Sequence, residues 1–361
     1  MNTKELNLIN EFNKFIQATA SGKRLTASGK KVSNGVIENY KYTKKLLEEY
    51  QVLHNEILRI AILNKTSVKT LQKEKNYWVK FHRQFTTFLF KEKEYYDNYA
   101  TTMYKNIKTF FNYLNNEKSI PVGQFHKQFR VPQQQFSPVV LTPEQLNFLI
   151  TNKEFYAKLS PQLKKIRDII IIGCTVGMRI SDLVKLKRKN LVSNGSETYI
   201  TIHTQKTGTE VKIPIPEYVL SIFERYKTKN KQTLLPKVNI GNINTQMKLL
   251  AEQAGWTYIV PKKMCRQGKI IEIMNKKGKS FRFCDHITAH TMRRTAITTL
   301  LILGVPELVV RKLSGHAAGS REFFRYISIA NDYSNQKIME AQNKLLTFNK
   351  KEHQTESIKL L

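Results

Sequence analysis

The chain has 361 residues, long enough for two or three domains that each bury a core. Its 41% hydrophobic content excludes a disordered chain, and its 60 lysines and arginines against 28 acidic residues give a formal net charge of +32. This excess favours a polyanionic partner, because each neutralised phosphate releases counterions. Nucleic acid is the first candidate, and an anionic membrane surface and a basic solubilising surface are the alternatives.

The three cysteines and the pattern of apolar residues indicate the cellular compartment of the protein. Cys174, Cys265 and Cys284 form no CxxC pair and lack a histidine cluster, so we expect neither a zinc site nor a disulfide framework. The first residues, "MNTKELNLINEFNKF", are polar and mixed in charge, unlike a secretory signal. The longest apolar run, "DIIIIGCTVGM", is too short to cross a bilayer, which weakens the membrane alternative. We expect a protein of the reducing cytoplasm.

The front of the chain, residues 1–117, is predicted to be a basic helical domain. A helix is predicted in "VSNGVIENYKYTKKLLEEYQ", with Ser33 or Asn34 at its N-cap, and "QVLHNEILRIAILN" fits either a short strand or more helix. Residues 73–118 have the spacing of two helices with aromatic side chains on one face and lysines on the other. We expect the aromatic face to be core, and the lysine face suits a DNA backbone.

Residues 118–140 hold three prolines and a run of glutamines without any period, which is typical of a linker. A second domain is expected over 141–361. It opens with a helix that has Thr142 at its N-cap, Pro143 at its first position and Glu144 in its first turn.

The remainder of the second domain is predicted to be helical around a small β element. Two helices joined near Gly177 come first, then two strands that flank "KTGTE", and then a helix in "GNINTQMKLLAEQAGW". A basic, hairpin-like insert begins at about residue 263. The expected fold class is therefore mainly α with a small β-hairpin or sheet.

A histidine and an arginine open the stretch "TAHTMRRTAITTLL". His290 and Arg293 are three residues apart, so a helix places both on one face. Thr288 and Thr291 mark the helix start, where free amide groups and the helix dipole favour an anion. Arginine adds a planar fork of donors that stays charged. The pair suits two oxygens of a phosphate, although a basic helix start facing solvent explains the same residues.

Two further segments carry cations in or beside turns. Arg179 follows Gly177 in "TVGMRISDLVKLK", and Asp182 either orients Arg179 or stabilises the first helical turn through the dipole. Lys206 lies in the turn of "HTQKTGTEVKIPI". A lysine there is ordinarily solvated, but it can also reach a DNA groove and donate a proton to a leaving oxygen.

The stretch "LSGHAAGSREFFRYISI" places Gly315 and His316 after a helix, and Tyr326 lies ten residues beyond His316. A phenol with a free pKa of about 10 is a poor nucleophile. It becomes effective when arginines neutralise the phosphate that it attacks and a neighbour accepts its proton. The alternative is that Tyr326 is one of many amphipathic core tyrosines, and Tyr333 is a nearby competitor.

Taken together, these residues resemble the active site of the tyrosine recombinases, also called phage-type integrases. The ordered series is Arg179, Lys206, His290, Arg293, His316 and Tyr326. The strings "TVGMRISDLVKLK", "TQKTGTEVKIPI" and "HTMRRTAITTLLILGVPELVVRKLSGH" look like the family's first arginine motif, lysine hairpin and HxxR-to-GH segment. The resemblance covers about 145–340, and residues 1–117 are similar to the core-binding domain by layout. The family's tyrosine usually follows the GH histidine by nine residues, one fewer than here.

The resemblance implies a site-specific recombinase that cuts and rejoins DNA through a covalent 3′-phosphotyrosyl bond. Arg179 and Arg293 would hold the non-bridging phosphate oxygens. His290 would accept the tyrosine proton or bond to the phosphate, and His316 would donate a further hydrogen bond. Lys206 would be the general acid for the leaving 5′-oxygen.

The resemblance also implies a supporting residue, the absence of a cofactor, and macromolecular partners. Asp182 would support the first arginine, and no metal or other cofactor is implied because the cations supply the positive charge. The partners would be double-stranded DNA, a homotetramer on synapsed DNA and DNA-bending accessory proteins, whose need the sequence leaves open. The location would be nucleoid-associated. The helix predicted in "NQKIMEAQNKLLTFNK" would dock on a neighbouring subunit.

Two other readings remain open for the same residues. One is a type IB topoisomerase, which shares the chemistry and acts as a monomer. The other is a DNA-binding protein without catalysis. Within the recombinase reading, a mobile-element integrase, excisionase or invertase is favoured over chromosome-dimer resolution by the divergent front domain.

Overall fold

The computed structural model describes residues 4–64, 66–195, 197–203, 210–227 and 232–356, with the side chains of 203 and 345–356 outside the description. The chain divides into two compact units. The first unit holds Met1–Phe136 and Lys263–Ile273, and the second holds Ser137–Lys262 and Met274–Leu361. Within the described ranges, every helix is too short or too polar to cross a membrane.

The front of the chain is helical apart from two short strands. Its elements are β1 (Glu5–Asn7), α1 (Leu8–Ala20), α2 (Asn34–His54), β2 (Arg59–Ala61), α3 (Val68–Lys91), α4 (Asp97–Asn112), a π-helical turn (Tyr113–Glu117) and a 3₁₀ turn (Phe125–Gln128). Strands β1 and β2 pair antiparallel, with Leu6 opposite Ile60, so the segment predicted as strand or helix continues α2 to His54 and then includes a short strand. The predicted start of α2 is confirmed, with Ser33 at the N-cap.

Aromatic side chains form the core of the first unit, as their helical spacing predicted. Phe12 from α1, Trp78 from α3 and Phe110 from α4 are almost completely buried. The rings of Trp78 and Phe111 meet edge to face at 5.0 Å, and those of Phe12 and Phe110 lie 4.7 Å apart. Such tilted pairs are favourable because the ring edge is positive and the face is negative. These contacts hold three helices together through their apolar faces.

The segment 118–136, predicted to be linker, belongs to the first unit. Val122, Phe129 and Val131 are buried in its aromatic core. Each makes its contact without a regular helix or strand, so the sequence has no period that would reveal the burial. Burial of these apolar side chains stabilises the segment against the helices.

The rest of the chain combines helices with small sheets. Its elements are α5 (Pro143–Thr151), α6 (Lys153–Lys158), α7 (Pro161–Val176), α8 (Ile180–Leu183), a 3₁₀ turn (Arg188–Asn190), β3 (Leu191–Asn194), β4 (Glu197–His203), β5 (Glu210–Pro214), α9 (Glu217–Arg225), a 3₁₀ turn (Ile240–Asn242), α10 (Ile243–Gln253), β6 (Lys262–Arg266), β7 (Lys269–Ile273), α11 (Phe283–His286), α12 (Ala289–Ile302), α13 (Glu307–Ser314) and α14 (Arg321–Glu356). The predicted fold class, mainly α with a small sheet, is confirmed.

The start of α5 confirms the predicted cap in detail. The Thr142 hydroxyl accepts a hydrogen bond from the Gln145 amide at 3.2 Å, and the Gln145 side chain accepts one from the Thr142 amide at 2.9 Å. Pro143 occupies the first helical turn. This reciprocal pair satisfies two amides that a helix start leaves without partners.

The β structure of the second half is larger than the sequence predicted. Strands β4 and β5 pair antiparallel, with Ile200 opposite Ile213, and the missed strand β3 pairs with β4. No strand is predicted for Leu191–Asn194, because a four-residue strand is too short for its alternation to show. The predicted turn between β4 and β5, residues 204–209, lies outside the described residues.

The predicted hairpin insert is confirmed as β6 and β7. Residues 263–273 join the first unit, where the buried Asp97 carboxylate accepts the amides of Gln267 at 2.7 Å and Gly268 at 2.9 Å. The Arg266 guanidinium also donates to the Phe90 carbonyl at 2.7 Å. Hydrogen bonds to a buried carboxylate are strong, so this turn is firmly attached.

Helices α7 and α12 form the centre of the second unit at close approach. A Cβ atom on Gly173 would lie 2.5 Å from Met292 Sδ and 3.0 Å from Met292 Cβ. Met292 is fully buried, and helix α12 carries two of the predicted site residues. The small residue at 173 therefore sets how near α12 lies to α7.

We expect Gly173→Ala to lower the free energy of unfolding by about 1–3 kcal/mol, because overpacking outweighs the helix propensity that alanine adds. Gly35→Ala is the matched control, since a Cβ on that helical glycine would meet nothing within 4 Å. Urea denaturation of both variants measures the difference. Equal midpoints for the two variants would contradict the close packing of α7 and α12.

Candidate active site

The Arg179 segment begins where α7 ends. Gly177 takes a left-handed conformation with φ +64°, and its amide donates to the Gly173 carbonyl at 3.1 Å. Glycine is favoured there because a Cβ would be strained at positive φ. Arg179 then occupies the N-cap of α8, with the Asp182 amide donating to its carbonyl at 2.9 Å. The turn thus presents Arg179 immediately before a new helix.

Helix α12 presents His290 and Arg293 in its first turns. The Thr288 amide donates to the Thr291 hydroxyl at 3.0 Å, which fixes the helix start. The His290 side chain keeps 47% of its surface exposed, whereas Arg293 is only 5% exposed. The histidine is therefore half-buried, whereas the arginine lies beneath the site.

Arg293 links the three segments that carry predicted site residues. Its Nη1 group donates to the Gly177 carbonyl at 2.8 Å, and its Nη2 group donates to the Ser314 carbonyl. Gly177 precedes Arg179, and Ser314 precedes His316 by two residues. These two bonds use two of the five N–H donors of the guanidinium and leave three for a ligand.

His316 and Tyr326 lie beside each other on either side of the start of α14. The ring centroids of His316 and Tyr326 are 5.9 Å apart, and His316 Nδ1 lies 2.8 Å from the Ser314 hydroxyl. Tyr326 is 1% exposed, and its hydroxyl donates a long hydrogen bond of 3.4 Å to Glu322 Oε1. Gly315, with φ +64°, permits the turn before His316.

Six of the seven predicted site residues lie in the second unit among the described residues. Besides burial, the charge of Arg179 lowers the pKa of Arg293 and that of His316, and the charge of Asp182 raises the pKa of Arg293. Lys206, predicted as the general acid, falls in 204–209 and lies outside the described residues.

Tyr333, the alternative candidate for the nucleophile, contacts helix α5 instead of the other predicted site residues. Its hydroxyl donates to Glu144 Oε1 at 2.5 Å, and Lys337 lies 3.1 Å from the same carboxylate oxygen. Tyr333 therefore attaches α14 to α5, whereas Tyr326 lies beside His316.

Two residues of the site were missed by the sequence reasoning. Interaction with Arg294 lowers the pKa of Tyr326, and the Nε atom of Arg294 is buried without a partner among the described residues. Glu322 lies one helical turn before Tyr326, and its Oε1 is 3.7 Å from His290 Nε2. The available signal was the i, i+4 spacing of Glu322 and Tyr326, which places both side chains on one face of a helix.

The site holds its histidines neutral. Burial, followed by the charge of Arg293, lowers the pKa of His316 to about 4. Burial, followed by the charge of Arg294, also lowers the pKa of His290 from 6.5. Both imidazoles are therefore unprotonated near pH 7 in the DNA-free protein and can accept a proton.

The pKa values of Glu322 and Tyr326 are shifted in opposite directions. Burial would raise the pKa of Glu322, but the positive charge that His290 and His316 gain when they are protonated in acid, together with hydrogen bonds from His290 and Tyr326, outweighs it and lowers the pKa. Burial, followed by the charge of Glu322, raises the pKa of Tyr326 above 10, against the opposing effect of Arg294. The resting site thus contains an ionised carboxylate and a protonated phenol. No group of three or more potential metal ligands occurs in the described part of the chain.

Replacement of Arg293 by lysine tests its role as a link. A lysine keeps the charge but cannot donate to two carbonyls in a fork, so one buried carbonyl loses its partner. We expect Arg293→Lys to lower the free energy of unfolding by about 1–3 kcal/mol in urea denaturation. Arg321→Lys, an exposed position at the start of α14, is the control and should leave stability unchanged. An unaltered midpoint for Arg293→Lys would contradict the link.

The lowered pKa of His316 predicts a loss of stability in acid. The unfolded chain takes up a proton near pH 6.5, whereas the folded chain takes it up only near pH 4. Stability linked to His316 is therefore complete above pH 6.5 and falls as the pH drops towards 4. We expect a flatter decline in urea midpoint between pH 7 and pH 4 for His316→Gln. Histidine NMR should show the native His316 titrating near pH 4, and parallel pH curves would refute the assignment.

Comparison with known proteins agrees with this architecture. The sequence model of the phage integrase family matches residues 140–331, a range that includes all seven predicted positions. Tyrosine recombinase XerA of Pyrococcus furiosus is 23% identical over 156 residues, covering 43% of this chain and 48% of that protein. The match thus spans about half the length of this curated relative.

Solved structures share the fold over most of the chain. A lambda integrase dimer bound to a COC′ core site has a TM-score of 0.56 at 13% identity, covering 90% of this chain and 77% of the other. The XerH site-specific recombinase bound to a palindromic difH substrate has a TM-score of 0.56 at 16% identity, covering 94% and 97%. With the family model matching more than half of its residues, the chain belongs to the phage integrase family of tyrosine recombinases.

Proposed function

We propose that this chain is a site-specific DNA recombinase that cuts and rejoins strands through a 3′-phosphotyrosyl intermediate. The observation that carries the proposal is the convergence of His290, Arg293 and His316 around the buried Tyr326. The charge of Arg179 also acts on Arg293 in the same site. Cations and neutral imidazoles beside a phenol are what phosphoryl transfer to tyrosine requires.

The two arginines would bind and activate the phosphate. Arg293 has three N–H donors beyond those that hold Gly177 and Ser314, and Arg179 adds a second guanidinium. Together they hold the non-bridging oxygens and stabilise the charge that builds in the transition state. Asp182 supports Arg179 from the same short helix.

Proton transfers complete the cleavage step. The Tyr326 oxygen bonds to phosphorus while the bond from phosphorus to the 5′-oxygen breaks. His290, neutral near pH 7, accepts the phenolic proton, and Lys206 donates a proton to the leaving 5′-oxygen. His316 donates a hydrogen bond to the phosphate. The bond energy is retained in the phosphotyrosine, so the reverse attack by a 5′-hydroxyl rejoins DNA.

Double-stranded DNA is the proposed substrate, and the net charge of +32 supports strong phosphate contacts. Residues 1–117, together with the packed segment 118–136, would form the core-binding domain, and residues 141–361 would form the catalytic domain. The lambda integrase neighbours were solved as a dimer on a core site and as a tetramer on a Holliday junction. A homotetramer on synapsed DNA is proposed here by analogy, with residues 335–350 of α14 docking on a neighbouring subunit.

The biological setting is proposed as a mobile element. One structural neighbour is the Tn1549 transposon integrase bound to circular-intermediate DNA, with a TM-score of 0.54 at 16% identity. Integration, excision or inversion would then be the reaction, with DNA-bending proteins as accessory partners.

Covalent trapping tests the proposed chemistry. We expect labelled, nicked DNA from the regions flanking the gene to remain attached to the protein after SDS treatment. Tyr326→Phe should abolish this adduct because the nucleophilic oxygen is gone, whereas Tyr333→Phe should retain it. Peptide mapping of the adduct identifies the attached residue.

The outcomes distinguish the competing functions. An adduct that survives in Tyr326→Phe and is lost in Tyr333→Phe would reassign the nucleophile. Specific DNA binding without any adduct would favour a non-catalytic DNA-binding protein. An adduct with one subunit per duplex site by light scattering would favour a type IB topoisomerase over a recombinase.

A further inference from the structure

The Glu322 carboxylate lies inside the group of residues proposed to bind the DNA phosphate. Its Oε1 atom is 3.4 Å from the Tyr326 hydroxyl and 3.7 Å from His290 Nε2. Its charge also acts on Arg293 and His316. One negatively charged group therefore interacts with four of the residues that the proposed reaction needs.

The charges around Glu322 come from each neighbouring segment. Helix α12 contributes His290, Arg293 and Arg294, the turn after α13 contributes His316, and Tyr326 lies on the same helix as Glu322. Interactions with His290, His316 and Tyr326 hold the pKa of Glu322 below its ordinary value in spite of burial. The carboxylate is therefore ionised at neutral pH and faces a site of positive potential.

An ionised carboxylate and a phosphodiester repel each other in such a site. At 4 Å in water the repulsion is about 1 kcal/mol, and it grows as water is excluded. The Glu322 side chain is 52% exposed, so it can rotate into solvent, whereas the Tyr326 ring is buried and stays in place. Entry of a phosphate would thus change the partner of the hydroxyl without moving the ring.

We propose that Glu322 is a positioning residue that competes with the target phosphate for the cationic site and binds the Tyr326 hydroxyl until DNA displaces it. The proposal rests on the proposed recombinase function. Displacement breaks the close contacts of Glu322 with Tyr326 and His290, and no covalent bond changes. The freed phenol then donates to His290, so the nucleophile is exposed to its proton acceptor only when a phosphate is bound.

A carboxylate is a poor choice for the alternative role of general base. Glu322 has a lowered pKa and Tyr326 a raised one, so proton transfer between them is strongly unfavourable. The nearby imidazole of His290 is the better acceptor. Glu322 therefore fits a group that must leave before cleavage.

Glu322→Gln tests the proposal, because it removes the charge and keeps the shape. In the DNA-free full chain, inorganic phosphate should bind at least about fivefold more tightly to the variant than to the native protein. The NMR signals of His290 and His316 monitor this binding. Tyrosine NMR, assigned with Tyr326→Phe, should show Tyr326 ionising at lower pH in the variant. A purely structural role for Glu322 would produce neither change.

Two further variants keep the test interpretable. Glu340→Gln removes an exposed carboxylate from the same helix, where it pairs with Lys337 at 3.0 Å, and should leave phosphate binding unchanged. Glu322→Asp retains the charge on a shorter side chain and should bind phosphate with an affinity between native and Glu322→Gln. Equal phosphate affinity in Glu322→Gln and the native chain would overturn the proposal.

Covalent trapping separates this proposal from the proposed function. Faster adduct formation by Glu322→Gln supports the displacement. Loss in Glu322→Gln of an adduct that the native chain forms would overturn it, because Glu322 would then be required as a base. Tighter phosphate binding by the variant, with no adduct from either protein on a bound site, would support the competition and count against the recombinase function.

Discussion

The buried guanidinium of Arg293 is the interaction on which the site depends. Burying a charge is costly unless it finds partners, and here two carbonyls from distant segments accept hydrogen bonds from the guanidinium. Those carbonyls belong to Gly177, two residues before Arg179, and to Ser314, two residues before His316. A single side chain therefore fixes the spacing of three segments, although Gly177 and Arg293 are 116 residues apart in the sequence. The same group faces the proposed ligand, so structural and chemical roles are combined in one residue.

The electrostatics of the site follow from this concentration of positive charge. Burial and the nearby arginines keep His290 and His316 neutral near pH 7, so each ring has one nitrogen that accepts and one that donates a hydrogen bond. A phenol in the same surroundings would be acidified by the arginines, but burial and Glu322 act more strongly and keep Tyr326 protonated. The DNA-free site is thus arranged for a resting state. An incoming phosphate would replace the charge of Glu322 with its own and shift the balance towards reaction.

The sequence was most informative where a local pattern carries the physical cause. The cap at Thr142, the helical aromatic face around Trp78 and the turn at Gly177 are all confirmed, because each depends on residues a few positions apart. The short strand β3 and the burial of Phe129 were missed. Both depend on partners supplied by other parts of the chain, so no local period marks them. The hairpin at 263–273 was recognised, but its attachment to Asp97 was not foreseeable from its own residues.

By itself, the sequence determined the fold class, the family resemblance and the identities of the candidate residues in their order. Residue type and short spacing are local properties, and they are enough to recognise a histidine and an arginine on one helix face. Only the tertiary structure decided that Tyr326 lies beside His316 while Tyr333 binds Glu144. It also placed Glu322 and Arg294 at the phenol. These choices depend on how α12, α14 and the turn after α13 pack against one another, because contacts between distant segments leave no periodic trace in any one of them.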